Sequence, residues 1–209
     1  MEYIIGIAVM LSLVILVKSP LGHDFQKKWI YYILFGKNRP QKDWFVLHDV
    51  SFYDSTKSVV IDHIIVNTSG IHVIGMFAEQ GHITGGEYDK LWEITTHYGK
   101  TSVTMKNPVY QINDQVLSLK QVIPIKVSVY GYVCFNQHVK LKVKSKIITV
   151  TSLRPLIKHI KVKNKATKPL KPIEVRNLYE AIKDLRKKTF KHQPITIENT
   201  PKKAHQKDL

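Results

Sequence analysis

Positive charge dominates the side chains of this sequence that could do chemistry. The 209 residues include 32 Lys and Arg against 16 Asp and Glu, a net charge of +16. Residues 140–209 hold 20 basic and 5 acidic residues, so nearly all of the excess lies in the last third. This asymmetry predicts a polyanionic partner, either nucleic acid or an anionic lipid surface, although a basic face can also serve solubility alone.

The densest part of this charge is a row of four lysines in which every second residue is basic. A period of two places these lysines on one face of a strand. Such side chains contact phosphates without reading sequence, so binding that weakens steeply with salt is expected. Lysines at a sheet edge also protect against aggregation, which is the structural alternative. The basic residues expected to contact a polyanion are Lys140, Lys142, Lys144, Lys146, Lys161, Lys163 and Lys165.

Aromatic residues are sparse in this basic region, where Tyr179 and Phe190 are the only two. A platform that stacks the bases of single strands is therefore not expected.

Cysteine and histidine offer weaker signals. Cys134 is the only cysteine, which excludes an intrachain disulfide, and it lies in the apolar run Val133-Cys134-Phe135. Nothing nearby would lower the pKa of its thiol, so a buried, inert cysteine is expected. His63 and His72 are possible nitrogen donors, but they lack a metal-ligand spacing and are expected to be surface or hydrogen-bonded core residues.

An uncharged apolar segment runs from Tyr3 to Val17. The first 18 residues would span about 27 Å as a helix, which approaches the thickness of the hydrocarbon core. Basic residues follow this segment and none precedes it. These features predict a single uncleaved transmembrane helix in the cell membrane, with the N-terminus outside and the soluble part in the cytoplasm.

Apolar periodicity in the remaining chain predicts a mixed α/β domain with one central sheet. Strands are expected around 44–47, 58–66, 71–74, 91–94 and 125–135. Asn107 and Pro108 predict a helix start, and Pro172 predicts another. The predicted organisation is an anchor over 1–18, a domain over 22–165, a C-terminal helix over 172–188 and a basic, disordered tail over 189–209.

Five segments in order resemble the nuclease-related domain, NERD. They are Ile61 to Val66, Gly70 to Ile74, Gly81 to Gly85, Trp92, and Asn107 to Gln111. The resemblance covers roughly Gly22 to Val162. It implies the restriction-endonuclease-like PD-(D/E)XK fold, α/β with some α+β character, in which a mixed central sheet is flanked by helices. It also implies a bacterial source.

The family resemblance implies a definite chemistry. Carboxylates on adjoining strands hold Mg²⁺ or Mn²⁺, which activates water and polarises the scissile phosphate, and a lysine beside the metal stabilises negative charge. Asp62 matches the strand Asp that would hold the metal, and Gln111 matches the Gln of the Asn-Pro-x-x-Gln helix start. Asp24 lies near the expected helical acid. The Glu-x-Lys position instead reads Gly75-Met76-Phe77.

The resemblance with these losses implies a catalytically degenerate pseudo-nuclease that binds nucleic acid or a partner at the cytoplasmic membrane face. One alternative is an active metal-dependent nuclease in which Asp62 works with Asp24, Glu79 or Gln111 in displaced roles. Another is a scaffold for anionic lipid or protein.

Overall fold

The computed structural model describes residues 35–54, 57–96, 99, 101–123, 126–135, 139–166 and 169–191. They form nine strands and three helices, with a short 3-10 turn at Pro40–Lys42. The strands are β1 Phe45–Tyr53, β2 Ser58–Asn67, β3 Gly70–Phe77, β4 Gly81–Gly86, β5 Leu91–Thr96, β6 Thr101–Lys106, β7 Val129–Phe135, β8 Val139–Lys144 and β9 Thr149–Ser152. The helices are α1 Pro108–Val122, α2 Leu153–Ala166 and α3 Pro172–Lys191.

The strands form two mixed sheets, whereas the sequence predicted one. The first sheet has the order β1-β2-β3-β7-β9, and the second has the order β6-β5-β4-β8. In the first sheet β1, β2 and β3 are antiparallel neighbours, while β3, β7 and β9 run parallel. The mixed α/β class is confirmed, and the single central sheet is corrected to two.

The two sheets follow one another along the same two segments of chain. Phe77 is the last residue of β3 to pair with β7, opposite Phe135, and Gly81 is the first of β4 to pair with β8, opposite Val139. Three residues lie between these pairs on each segment, so the register is the same in both sheets. Where a strand pairing stops depends on tertiary packing and leaves no periodic signal in the sequence.

Helices cover both faces of the first sheet. The larger core joins it to α1 and α3 and includes the apolar face of the second sheet, with Ile83 and Trp92 almost fully buried. A smaller core lies against α2, around Leu156 and Ile160. Adjacent β3 residues alternate between these cores, since Val73 faces the larger and Ile74 the smaller. The result is a layered domain with the site region in its interior.

The two helix starts predicted from the sequence, at Asn107 and at Pro172, are confirmed. Asn107 caps α1 by accepting a hydrogen bond from the Val109 amide, with Pro108 in the first turn. Apolar residues recur at helical spacing along both predicted helices and are buried, such as Val109 and Ile112 in α1 and Leu178 and Ile182 in α3. Helix α2 was not predicted, because Pro155 and a high density of lysine are typical of a linker; proline is tolerated here because it lies in the first turn.

The predictions for the two ends of the chain concern a membrane span and a disordered tail. Within the described residues no helix has both the length and the apolar character needed to cross a membrane. The predicted span from Tyr3 to Val17 lies outside the described residues, as do Asp24 and most of the C-terminal tail.

Candidate functional site

The candidate site lies where β2 and β3 separate. Their pairing runs from Asn67 opposite Gly70 to His63 opposite Ile74 and then stops. Asp62 is the next residue on β2, and its Oδ2 atom accepts a hydrogen bond of 2.8 Å from the Met76 backbone amide. Just beyond the last backbone pair of β2 and β3, the Asp62 carboxylate therefore accepts the hydrogen bond that a β2 carbonyl would otherwise accept from the Met76 amide.

A local distortion of β1 and β2 accompanies this separation. Asp49 has a left-handed backbone with φ of 50° within β1. The side chains that reach the larger core change parity on both strands, from Leu47 to Val50 and from Ile61 to Ile64. Both strands make this change without an extra residue, because His48 pairs with His63 before it and Val50 pairs with Ile61 after it in one continuous register. Asp62 lies at this irregularity, so its carboxylate can lie beside the strand edge.

The surroundings of Asp62 hold it in an unusual electrostatic state. Burial raises the pKa of its carboxyl group, the Met76 amide lowers it, and the nearby Asp49 carboxylate raises it again. Within the described residues Asp62 forms no ion pair. A partly buried acid without a cationic partner is expected to take up a proton more readily than a free one.

The positions of the expected Glu and Lys are filled with apolar side chains. A side chain at Gly75 would overlap the Cδ1 atom of Ile112 on α1 and come within 3.2 Å of the Phe77 ring. Phe77 packs against the larger core, and Ile112 is fully buried. A larger residue at position 75 therefore requires the Ile112 side chain to move, because its Cδ1 atom lies where the added Cβ would be.

The donors expected for Mg²⁺ or Mn²⁺ do not gather around Asp62. No group of three acidic, histidine or cysteine side chains in the described ranges could hold a metal ion. Glu79 lies just after β3, and its Oε2 atom is buried without a hydrogen bond to any described residue. Hard divalent cations need several oxygen ligands, so the described residues do not fit such an ion.

The structure separates two glutamines of α1 that the sequence did not distinguish. Gln111, the predicted site residue, is exposed beside Tyr110 and Asp114 on the outer surface of the helix. Gln115 is buried and donates from Nε2 to the Val60 carbonyl at 2.7 Å. That carbonyl belongs to the part of β2 beyond its pairing with β3, so Gln115 satisfies the open strand edge. Gln115 could have been found from the sequence, because it lies three residues after the core residue Ile112 and so on the same face of the helix.

The two histidines are core residues, as the sequence favoured. His63 faces His48 across β1 and β2, with their Nδ1 atoms 2.8 Å apart. His72 bonds Ser69 Oγ through Nε2 at 2.9 Å and Tyr132 Oη through Nδ1 at 3.1 Å. Burial lowers the pKa of both histidines to about 3. Both therefore stay neutral at physiological pH and hold the fold together.

Cys134 is also confirmed as a core residue. It is buried, and burial raises the pKa of its thiol to about 12. A thiol in this state is a poor nucleophile.

The predicted basic residues occupy two separate elements. Lys140, Lys142 and Lys144 point to the solvent from one face of β8, and Lys146 is exposed just beyond it. The other three, Lys161, Lys163 and Lys165, belong to α2. Lys163 Nζ lies 5.2 Å from the centre of the Tyr130 ring, and Lys161 is exposed.

A buried acid that the sequence did not single out holds the end of this lysine row. The two carboxylate oxygens of Glu87 accept hydrogen bonds from the backbone amides of Lys146 at 3.0 Å and Ile147 at 3.1 Å. Asn107 fixes the same turn by donating to the carbonyls of Gly86, Glu87 and Asp89. The turn after β4 thereby sets where β8 ends.

Comparison with known families accounts for the larger part of this chain. The sequence model of the nuclease-related domain matches residues 22–136, and the chain belongs to that family, whose general kind of fold is PD-(D/E)XK-like. The match includes Asp62, Gly75, Phe77 and Gln111, and it ends before β8 begins. No match was found among curated proteins or among solved structures.

Proposed function

We propose that this nuclease-related domain binds nucleic acid without cutting it and does so at the cytoplasmic face of a membrane. The observation that carries the proposal is the replacement of the Glu and Lys positions by Gly75 and Phe77 with Ile112 packed into the space. Of the carboxylates that the resemblance expects, Asp62 is the one within the described residues, and the Met76 amide already donates a hydrogen bond to it. A site without the ligands for a metal and without the lysine has lost charge stabilisation at the scissile phosphate.

Binding is the part of the family's activity that the remaining residues support. Three exposed lysines on β8 share one face, and the C-terminal third of the chain carries most of the excess positive charge. Contacts of this kind hold phosphates through charge and carry no sequence information. The predicted span from Tyr3 to Val17 would tether this charge to the membrane.

A cleavage and binding assay on the same protein tests the proposal. The full chain in nonionic detergent is mixed with labelled DNA or RNA in Mg²⁺ and then in Mn²⁺, with Asp62→Ala as the matched variant. We expect salt-sensitive binding by both proteins and no product that depends on Asp62. Cleavage that Asp62→Ala abolishes would show an active nuclease with displaced residues, and absence of binding to either nucleic acid would reject the binding role.

A further inference from the structure

We infer that the outward face of the second sheet is the surface that receives nucleic acid and that it fits the phosphate backbone of a double helix. The inference rests on the proposed function and specifies where and in what form the polyanion binds. This sheet contains β4, β5, β6 and β8, and its inner face is part of the larger core. Its outer face carries a regular arrangement of polar side chains.

The strand pairing defines that arrangement. On β4, His82 lies beside Lys140 and Thr84 beside Lys142. On the other side of β4, the same two residues lie beside Thr95 and Glu93 of β5. These β5 residues in turn lie beside Ser102 and Thr104 of β6. The face therefore changes from the ammonium groups of β8 to hydroxyl groups on β5 and β6, and Lys106 adds one ammonium group at the end of β6, opposite the exposed Leu91. Ammonium and hydroxyl groups are both common phosphate ligands.

The lysines on β8 are free to contact a ligand. Lys140, Lys142 and Lys144 are exposed, and among the described residues none of them forms an ion pair. Strand geometry separates successive members of the row by about 6.8 Å, which is about twice the axial rise per nucleotide along one strand of a duplex. The row can thus follow a phosphate backbone over several nucleotides.

The side chains on this face favour a duplex over a single strand. Trp92 is the only aromatic residue in the four strands, and it is buried in the core. Unpaired bases bind proteins largely by stacking on exposed aromatic rings. This face carries no exposed Phe, Tyr or Trp ring and offers only the imidazole of His82. A duplex needs only its backbone to be contacted, and it presents the higher density of negative charge.

One acidic residue, Glu93, limits the part of the outer face that can contact phosphates. Glu93 is the only acidic residue in the four strands, and it accepts a hydrogen bond of 2.6 Å from Ser102 Oγ. It lies two strands from the lysine row, which is about 10 Å. Its charge repels phosphates from the β5 side, so the backbone is expected to lie over β8 and β4.

Fluorescence anisotropy with a labelled DNA duplex tests the assignment. The sheet variant combines Lys140→Gln, Lys142→Gln and Lys144→Gln. The control combines Lys120→Gln, Lys158→Gln and Lys171→Gln, which remove the same charge from exposed sites elsewhere. Each lost phosphate contact should reduce the salt slope by about 0.9, so the three together account for about 40-fold of the affinity lost between about 50 mM and 200 mM salt. The sheet variant should lose this dependence and the control should retain most of it. Glu93→Gln should tighten binding about twofold.

The outcomes separate this inference from the proposed function. Equal effects of the two triple variants, or a single strand bound as tightly as the duplex, would overturn the inference while leaving nucleic-acid binding intact. Lysine acetylation read by mass spectrometry adds a second measurement, in which the duplex should protect the three β8 lysines. If nanodiscs of phosphatidylserine and phosphatidylcholine in equal parts protect these lysines and the duplex does not, the face belongs to lipid and the inference is wrong.

Discussion

Ile112 of α1 occupies the space into which a side chain at Gly75 of β3 would project. The family resemblance expects a metal-binding glutamate at position 75, two residues before a lysine. In this chain α1 packs onto β3 at this point, so the Ile112 side chain lies where the first carbon of a glutamate side chain would be placed. Restoring the glutamate alone would place a carboxylate against a buried methyl group.

The first prediction concerns the coupling of these two residues. Gly75→Ala should lower the free energy of unfolding by about 1–3 kcal/mol, because the added methyl group overpacks a filled core. In an Ile112→Val background, where space is available, the same substitution should cost less. Urea denaturation of the four proteins in this cycle measures the coupling. Additive costs would show that Ile112 does not limit position 75.

The second prediction concerns the two buried histidines. In the folded protein His63 and His72 have pKa values of about 3, compared with 6.5 for the free side chain. The unfolded chain therefore binds more protons between about pH 3 and 6.5, so stability falls as pH falls through this window. Between about pH 7.5 and 5.5 the two histidines should remove about 2–3 kcal/mol from the free energy of unfolding.

Chemical denaturation at several pH values measures this effect. The matched variant is His72→Phe, which should be less dependent on pH over the same window whatever its absolute stability. Parallel pH profiles for the two proteins would contradict the assignment of His72 as a neutral core residue.

The third prediction separates the two glutamines of α1. Gln115→Met should lower the free energy of unfolding by about 1 kcal/mol, because the Val60 carbonyl at the open edge of β2 loses its donor. Gln111→Met changes an exposed position and should stay within about 0.5 kcal/mol of the parent protein. Thermal or urea unfolding compares them directly, and the reverse order would place Gln111 at the strand edge.

The fourth prediction concerns the acid that holds the end of β8. Glu87→Gln should lower the free energy of unfolding by about 1–2 kcal/mol, since a charged acceptor of two amide hydrogen bonds is replaced by a neutral one. Glu93→Gln is the control, because Glu93 is exposed and should change stability little. Amide exchange should also rise at Lys146 and Ile147 in Glu87→Gln alone. Unchanged exchange at these amides would contradict the role of Glu87.

The sequence predicted those parts of the structure that depend on neighbouring residues. The cap at Asn107 and the alternating lysines of β8 are local patterns, and both are confirmed. The division into two sheets depends on where two segments distant in sequence stop pairing with each other. The choice of Gln115 over Gln111 depends on where β2 loses its partner. Packing decides both, so neither is written in a single segment.

The predicted site shows the same division. The resemblance correctly pointed to the family, since the segments that carry it are residue identities at fixed positions. The missing Glu-x-Lys stays a prediction. It did not reveal that Ile112 fills the space, because that contact joins residues on different elements. Glu87 was missed for the same reason, since its partners lie in the loop after β8.

We propose that the domain holds nucleic acid and does not cut it, and one experiment reads both properties. The full chain is incubated with a labelled duplex in Mn²⁺, the bound fraction is read by anisotropy, and the product is read on a denaturing gel. We expect a salt-sensitive bound fraction and an intact duplex, with Asp62→Ala indistinguishable from the parent protein. Product that forms with the parent protein and disappears with Asp62→Ala would contradict the proposal.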